Sequence, residues 1–166
     1  MSVRSAVGAF WRGARRLPPG QWPGVLRTVA LVACVETGLR TARLPRVARW
    51  LGVPLAEAGT RAGSGTPGAT GSEPTPLELA PRERAGVRDA RRVLSVPGVD
   101  GTCLRQALVV GHVLRRRGPR LVLGVAKRDG TVSAHAWVEV QGWVVDDFHL
   151  HAGRPVGFER LPATPA

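Results

Sequence analysis

Ser133-Ala134-His135-Ala136-Trp137-Val138-Glu139-Val140-Gln141-Gly142-Trp143-Val144-Val145-Asp146-Asp147-Phe148 is the stretch that decides the fold. Val132 to Val140 and Trp143 to Phe148 are rich in β-branched and aromatic residues, which predicts two strands with a turn between them. Upstream, Arg120 to Ala126 has the same period of two, and Arg128-Asp129-Gly130 supplies another turn. Before Arg120 the period changes. Ala107, Val110 and Leu114, with Leu104, Leu108 and Gly111 beside them, predict a helix from about Cys103 to Arg117, ended by Gly118-Pro119. A helix followed by an antiparallel meander is an α+β pattern.

The turn chemistry bears on which carboxylate meets His135. A two-residue turn at Gln141-Gly142 pairs Val140 with Trp143 but demands a positive φ at Gln141, which glutamine tolerates poorly. A three-residue loop, Val140-Gln141-Gly142, needs a left-handed residue only at Gly142. That loop pairs Glu139 with Trp143, Trp137 with Val145 and His135 with Asp147, whose Cβ atoms would lie roughly 5 Å apart. The three-residue loop is the expected one, with Asp147 beside His135. The alternative register keeps Asp146 as a second candidate.

Cys103 opens the predicted helix, with Asp100 or Thr102 available to cap it. Free N–H groups and the helix dipole favour a thiolate there, and they suit an oxyanion. A thiol, an imidazole and a carboxylate are the parts of a nucleophile, its base and the group that orients the base. Cys103, His135 and Asp147 are therefore the candidate catalytic residues. Each alone has an ordinary structural explanation, and the weight lies in their joint order and context.

Elsewhere the chain divides by composition. Its 21 glycines and 14 prolines cluster, so they mark linkers. The expected organisation is an N-terminal helical region at 1–58, a Gly/Pro/Ser/Thr-rich linker at 59–76, a core at 77–160 and a flexible tail at 161–166. Residues 25–51 read as helix, broken near Leu44 by Pro45. Residues 81–94 form another, with Pro81 in its first turn.

A net charge of +12 raises the question of nucleic acid, but no nucleic-acid motif accompanies it and aromatics are only 5%. Solvated arginines are the simplest account, and an acidic partner is the next. Two cysteines make no disulfide framework, which fits a reducing, cytoplasmic setting. Arg12, Arg15 and Arg16 interrupt any signal-peptide core, and the apolar run Val29 to Val35 is too short to span a bilayer. No membrane contact is expected, although the arginines of the 25–51 helices would suit an anionic lipid surface.

Cys103-Leu104-x-Gln106-Ala107-Leu108, then Leu114-Arg115-Arg116-Arg117-Gly118, Leu121-Val122-Leu123-Gly124-Val125, and Ala134-His135-Ala136-Trp137-Val138-Glu139-Val140-x-Gly142 stand in order. This series resembles the transglutaminase-like leader peptidases of lasso-peptide biosynthesis, over about residues 80–150. The resemblance implies a papain-like/transglutaminase-like core, a catalytic helix with an antiparallel sheet, preceded here by the N-terminal helical segment. It implies a Cys103, His135, Asp147 triad that removes the leader from a ribosomally made lasso precursor peptide before macrocyclisation. The partners it implies are the precursor's leader region, a separate leader-recognition protein and the ATP-dependent lasso cyclase. No cofactor and no metal are implied. Two departures stand out. The family pattern more often has Arg where Gln106 stands, and Ala126 to Ala134 replaces a Pro-Phe-like stretch.

Gln106 and Trp137 are candidate substrate-binding residues, with core packing the plainer role for Trp137. Glu139 is expected to be solvated, His112 structural or superficial, and Cys34 buried on an apolar helix face. His149 and His151 alternate without a third nearby ligand, which is a poor metal site. Two other functions compete: transglutaminase-like amide acyl transfer on a different substrate, and a non-catalytic basic adaptor in a peptide-maturation complex.

Overall fold

A computed structural model describes residues 18–56, 77–96, 101–128, 131–146, 149–152 and 158–161. Residues 1–17 of the expected N-terminal region, the cap candidate Asp100, the expected 59–76 linker and all but the first residue of the expected 161–166 tail lie outside these residues. So does Asp147.

Among the described residues four α-helices precede an antiparallel sheet: α1 (Trp22–Thr41), α2 (Leu44–Trp50), α3 (Pro81–Leu94) and α4 (Cys103–Val113). Pro23, Pro45 and Pro81 all fall in a first helical turn, where the missing N–H has no intrahelical partner to lose. Pro45 therefore opens α2, and the break falls at Ala42, whose backbone is extended. At the start of α3 the Ala80 N–H donates to Glu83 Oε2 (2.7 Å). Arg117 grips the same carboxylate through Nε (2.7 Å) and Nη2 (2.6 Å), holding Glu83 below the usual carboxylate pKa. The predicted Cys103–Arg117 helix stops at Val113. The chain then tightens into a 3-10 turn over Arg115–Arg117 and leaves through left-handed Gly118.

The strands are β1 (Arg120–Arg128), β2 (Thr131–Val140), β3 (Trp143–Asp146), β4 (His149–Ala152) and β5 (Glu159–Arg160), in the spatial order β4-β3-β2-β1-β5. Alternation along them separates two faces. Leu121, Ala136, Val138, Val140 and Val145 face the helices and join a core with Val35 of α1, Ala48 of α2, Ala90 of α3 and Leu108 of α4. Val122, Trp137 and Val144 form a smaller cluster on the opposite face. The segment after α2 adds to β1 on the side away from β2, at the other end from β5, where the Leu121 N–H donates to Pro54 O and the Ala56 N–H donates to Leu121 O.

By length and composition α1 is long and apolar enough to cross a bilayer, with a mean hydropathy of 1.2. Its inner residues Val25, Thr28 and Val35 are buried, and Glu36 pairs with Arg105 of α4. Cys34, expected in the core, is exposed on the outer side of this helix.

His112 fastens α4 to α2. Its Nδ1–H donates to Leu51 O (2.9 Å), and burial holds its pKa below the usual histidine value, with Arg115 and Arg27 acting in the same direction. A lowered folded-state pKa means that the unfolded chain takes up the proton first. The resulting stability is present above about pH 6.5 and is lost as pH falls through the folded value. His112→Asn keeps a donor for Leu51 O and removes the titration. Urea midpoints at pH 7.5 and 5.5 should therefore fall further for the wild type than for this variant. Equal falls would assign the acid sensitivity to other groups.

Candidate functional site

Cys103 is the first residue of α4, half-buried at the helix N-terminus. The loop before it is tied down by α4 itself. Gln106 Nε2 donates to Gly101 O (2.7 Å), and the Gln106 backbone N–H donates to Thr102 O (3.0 Å). Gln106 thus holds the approach to Cys103 and also borders the cleft described below. Thr102 occupies the N-cap position, but its hydroxyl caps nothing; it accepts from Arg105 Nη1 (2.9 Å). Among the described residues no side chain caps the first turn of α4, the condition that suits a bound or developing anion. Arg105 is aimed by Glu36, which takes its Nε–H and Nη2–H and is held below the usual carboxylate pKa mainly by that bond. Nothing in the sequence around Arg105 signals this partner from α1.

The hairpin differs from the expected one. Val140 pairs with Trp143, Glu139 with Val144 and Val138 with Val145, which is the two-residue register. Gln141 adopts φ 50° and Gly142 φ 84°, the positive pair of a type I′ turn. In the three-residue register Asp146 would stand opposite Ala136, on the helix-packed face where Ala136 is 4% exposed. Burying an unpaired carboxylate there costs several kcal/mol, whereas left-handed backbone at Gln141 costs about 1–2 kcal/mol. The cheaper strain is accepted.

This register puts Asp146 on the face of His135, one diagonal step away. His135 Nε2 lies 2.8 Å from Asp146 Oδ1 and 2.9 Å from Oδ2. Asp146 is therefore the carboxylate that holds His135. A Cys103, Gln106, Ala107 wall from α4 meets Ala136 of β2 and Val145 and Asp146 of β3 across a small cleft. Asp146 borders that cleft and also holds the imidazole, so it connects Cys103's surroundings to His135. Among the described residues no hydrogen bond joins Cys103 to His135 directly.

Trp137 is 1% exposed and packs against His135, with ring centroids 6.0 Å apart, rather than lining the cleft. Glu139, expected in solvent, is 7% exposed and ion-paired with Arg160. In the observed register Glu139 pairs with Val144, not with Trp143 beside the turn, and faces Arg160. Phe158 and Arg160 were missed altogether, because a two-residue strand after a Gly/Pro-containing stretch has no periodicity to detect. Among the described residues no group of three or more His, Cys, Asp or Glu gathers as a metal site. The side chains of His149 and His151 lie outside the description.

A family model described as the transglutaminase-like superfamily matches residues 44–159. No curated protein and no solved structure matches the chain.

The register has a direct test. Gln141→Gly removes left-handed strain and should raise the unfolding free energy by about 1 kcal/mol in urea titration. In the three-residue loop Gln141 would sit in an ordinary right-handed conformation, and the same substitution would lower stability by about 0.5–1 kcal/mol.

Proposed function

The chain belongs to the transglutaminase-like superfamily, and on that premise we propose that it is a cysteine peptidase that removes the leader from a lasso precursor peptide. The observation that supports this most is Cys103 at an uncapped helix N-terminus, sharing a cleft with the carboxylate that holds His135. The ordered motifs over residues 80–150 narrow acyl transfer to leader removal.

In this mechanism the roles of the two imidazole nitrogens follow from the Asp146 contact. Nε2–H donates to the carboxylate, which leaves Nδ1 as the base. Nδ1 takes the proton of the Cys103 thiol as substrate closes the gap between them; catalytic hydrogen bonds commonly tighten only in that complex. The thiolate attacks the scissile carbonyl carbon, and the resulting oxyanion lies against the first-turn N–H groups of α4. The C–N bond then breaks, the imidazolium gives its proton to the leaving amine, and a thioester remains. His135 next deprotonates a water that attacks the thioester, releasing the acid and restoring the thiol. Asp146 keeps its hydrogen bond to Nε2 throughout and fixes the tautomer. The precursor's leader, a separate leader-recognition protein and the ATP-dependent cyclase are the partners this role requires.

Mass spectrometry of a cognate precursor incubated with the protein and its recognition partner tests the proposal. Wild type should release the leader, Cys103→Ala should not, and Asp146→Asn should be slower by about 10²-fold or more, the scale of a lost acid–base arrangement. Asp147→Asn should stay within a few-fold of wild type. Equal cleavage by wild type and Cys103→Ala would sink the peptidase. An added amine appearing in the product in place of water would reassign it as a transamidase.

A further inference from the structure

The small cluster on the sheet face away from the helices contains more than packing needs. Trp137 lies two residues along β2 from His135, so both side chains leave the same face. Their rings stack at 28° with centroids 6.0 Å apart. Phe158 approaches the imidazole more closely, at 5.1 Å and 37°, and also touches Trp137 at 6.4 Å. The imidazole is thus in contact with two other rings while Asp146 holds its Nε2.

Beneath the rings lies an ion pair. Trp137 Nε1–H donates to Glu139 Oε1 (3.3 Å), and Arg160 Nη2–H donates to the same oxygen. The Glu139 side chain is 8% exposed and that of Arg160 19%. An apolar pair of similar volume would stabilise such a cluster as well or better, because two charges must be desolvated to form this one. What the charged pair adds is direction. It fixes the end of the Trp137 indole and ties β5 to β2 across β1.

The backbone is cut to fit. Gly124 of β1 pairs directly with His135 of β2 and with Arg160 of β5. A Cβ there would stand 2.7 Å from Trp137 Cη2 and Cζ3 and 3.1 Å from Glu159 O. The absent side chain is what allows the indole to lie flat over β1 beside the imidazole. The Leu161 N–H donates to Leu123 O (2.9 Å) and extends β5 past the same point.

We infer that β5 is a positioning clamp for His135, in which Phe158 covers the imidazole and the Arg160–Glu139 pair sets the Trp137 platform against it. Phe158, Arg160, Glu139 and Trp137 are positioning residues, acting through His135 and not on substrate. The clamp's value to catalysis rests on the proposed role of His135 as base, but its effect on the ring can be read without substrate.

The test uses the full chain carrying Cys34→Ser, with His135 ring nitrogens assigned by comparison with His135→Ala in long-range 1H–15N spectra. In the parent, His135 should show a single Nε2–H tautomer. Phe158→Leu and Arg160→Met should show averaging towards both tautomers, and Arg160→Lys should recover most of the parent spectrum. Leader release from a cognate precursor in the presence of its recognition partner gives the second readout. Both disruptive variants should lower kcat about threefold or more with KM little changed, towards the His135→Ala rate, and Arg160→Lys should recover most of it. A single unchanged tautomer in Phe158→Leu and Arg160→Met, with only thermal stability reduced, would overturn the clamp. Leader release unchanged by His135→Ala would instead count against His135 as the base, while the tautomer result still decides the clamp.

Discussion

Everything around the candidate site depends on Val138 lying opposite Val145. Both are buried, at 0% and 5%, and both belong to the helix-packed core. Side chains alternate strictly along a strand, so placing Val145 inward turns Val144 and Asp146 to the other face. A one-residue slip would exchange the two sets and drive a carboxylate into the core. The strain at Gln141 is the local consequence of this larger constraint, and the His135–Asp146 contact is its functional one.

The same parity divides the candidate chemistry between two faces. Ala136 and Val145 look towards α4 and wall the cleft with Cys103, whereas His135 shares the opposite face with Trp137 and Glu139. Asp146 ends β3 and reaches both environments, bordering the cleft while its oxygens hold the imidazole. Asp146 is thus the residue that the surroundings of the imidazole and of the thiol share. On the proposed role of His135 as base, the orientation of its ring then matters more than in a site where base and nucleophile emerge from one surface. This gives a physical reason for the rings of Trp137 and Phe158 and a partly buried ion pair to gather beside His135.

Much of this was legible in the chain. Residues with strong local periodicity, such as Ala107, Val110 and Leu114, gave helix α4, and the prolines at 45 and 81 marked helix starts because their missing N–H has few other places to go. The helix-then-meander order was enough for an α+β core. The register was not legible, because it turned on a competition between about 1–2 kcal/mol of backbone strain and the larger cost of burying Asp146. Turn preferences express only the first term. Glu36, Phe158 and Arg160 were invisible for a different reason: each matters through a partner remote in sequence, and no local pattern encodes that.

Glu36 shows how such remote contacts bind the N-terminal helix to the site. Its carboxylate aims Arg105, and Arg105 in turn occupies the Thr102 hydroxyl. Thr102 is an N-cap residue type whose oxygen would otherwise accept an N–H from the first turn of α4. By donating to that oxygen, Arg105 competes with capping, and a guanidinium fixed by a carboxylate is a strong competitor. A cap contributes about 1 kcal/mol to helix stability, so its loss is a real cost at the start of α4. Thr102 accordingly makes no cap bond beside the thiol. An ion pair between α1 and α4 therefore does more than fasten two helices: through Arg105 it engages the N-cap hydroxyl at the helix terminus that carries Cys103.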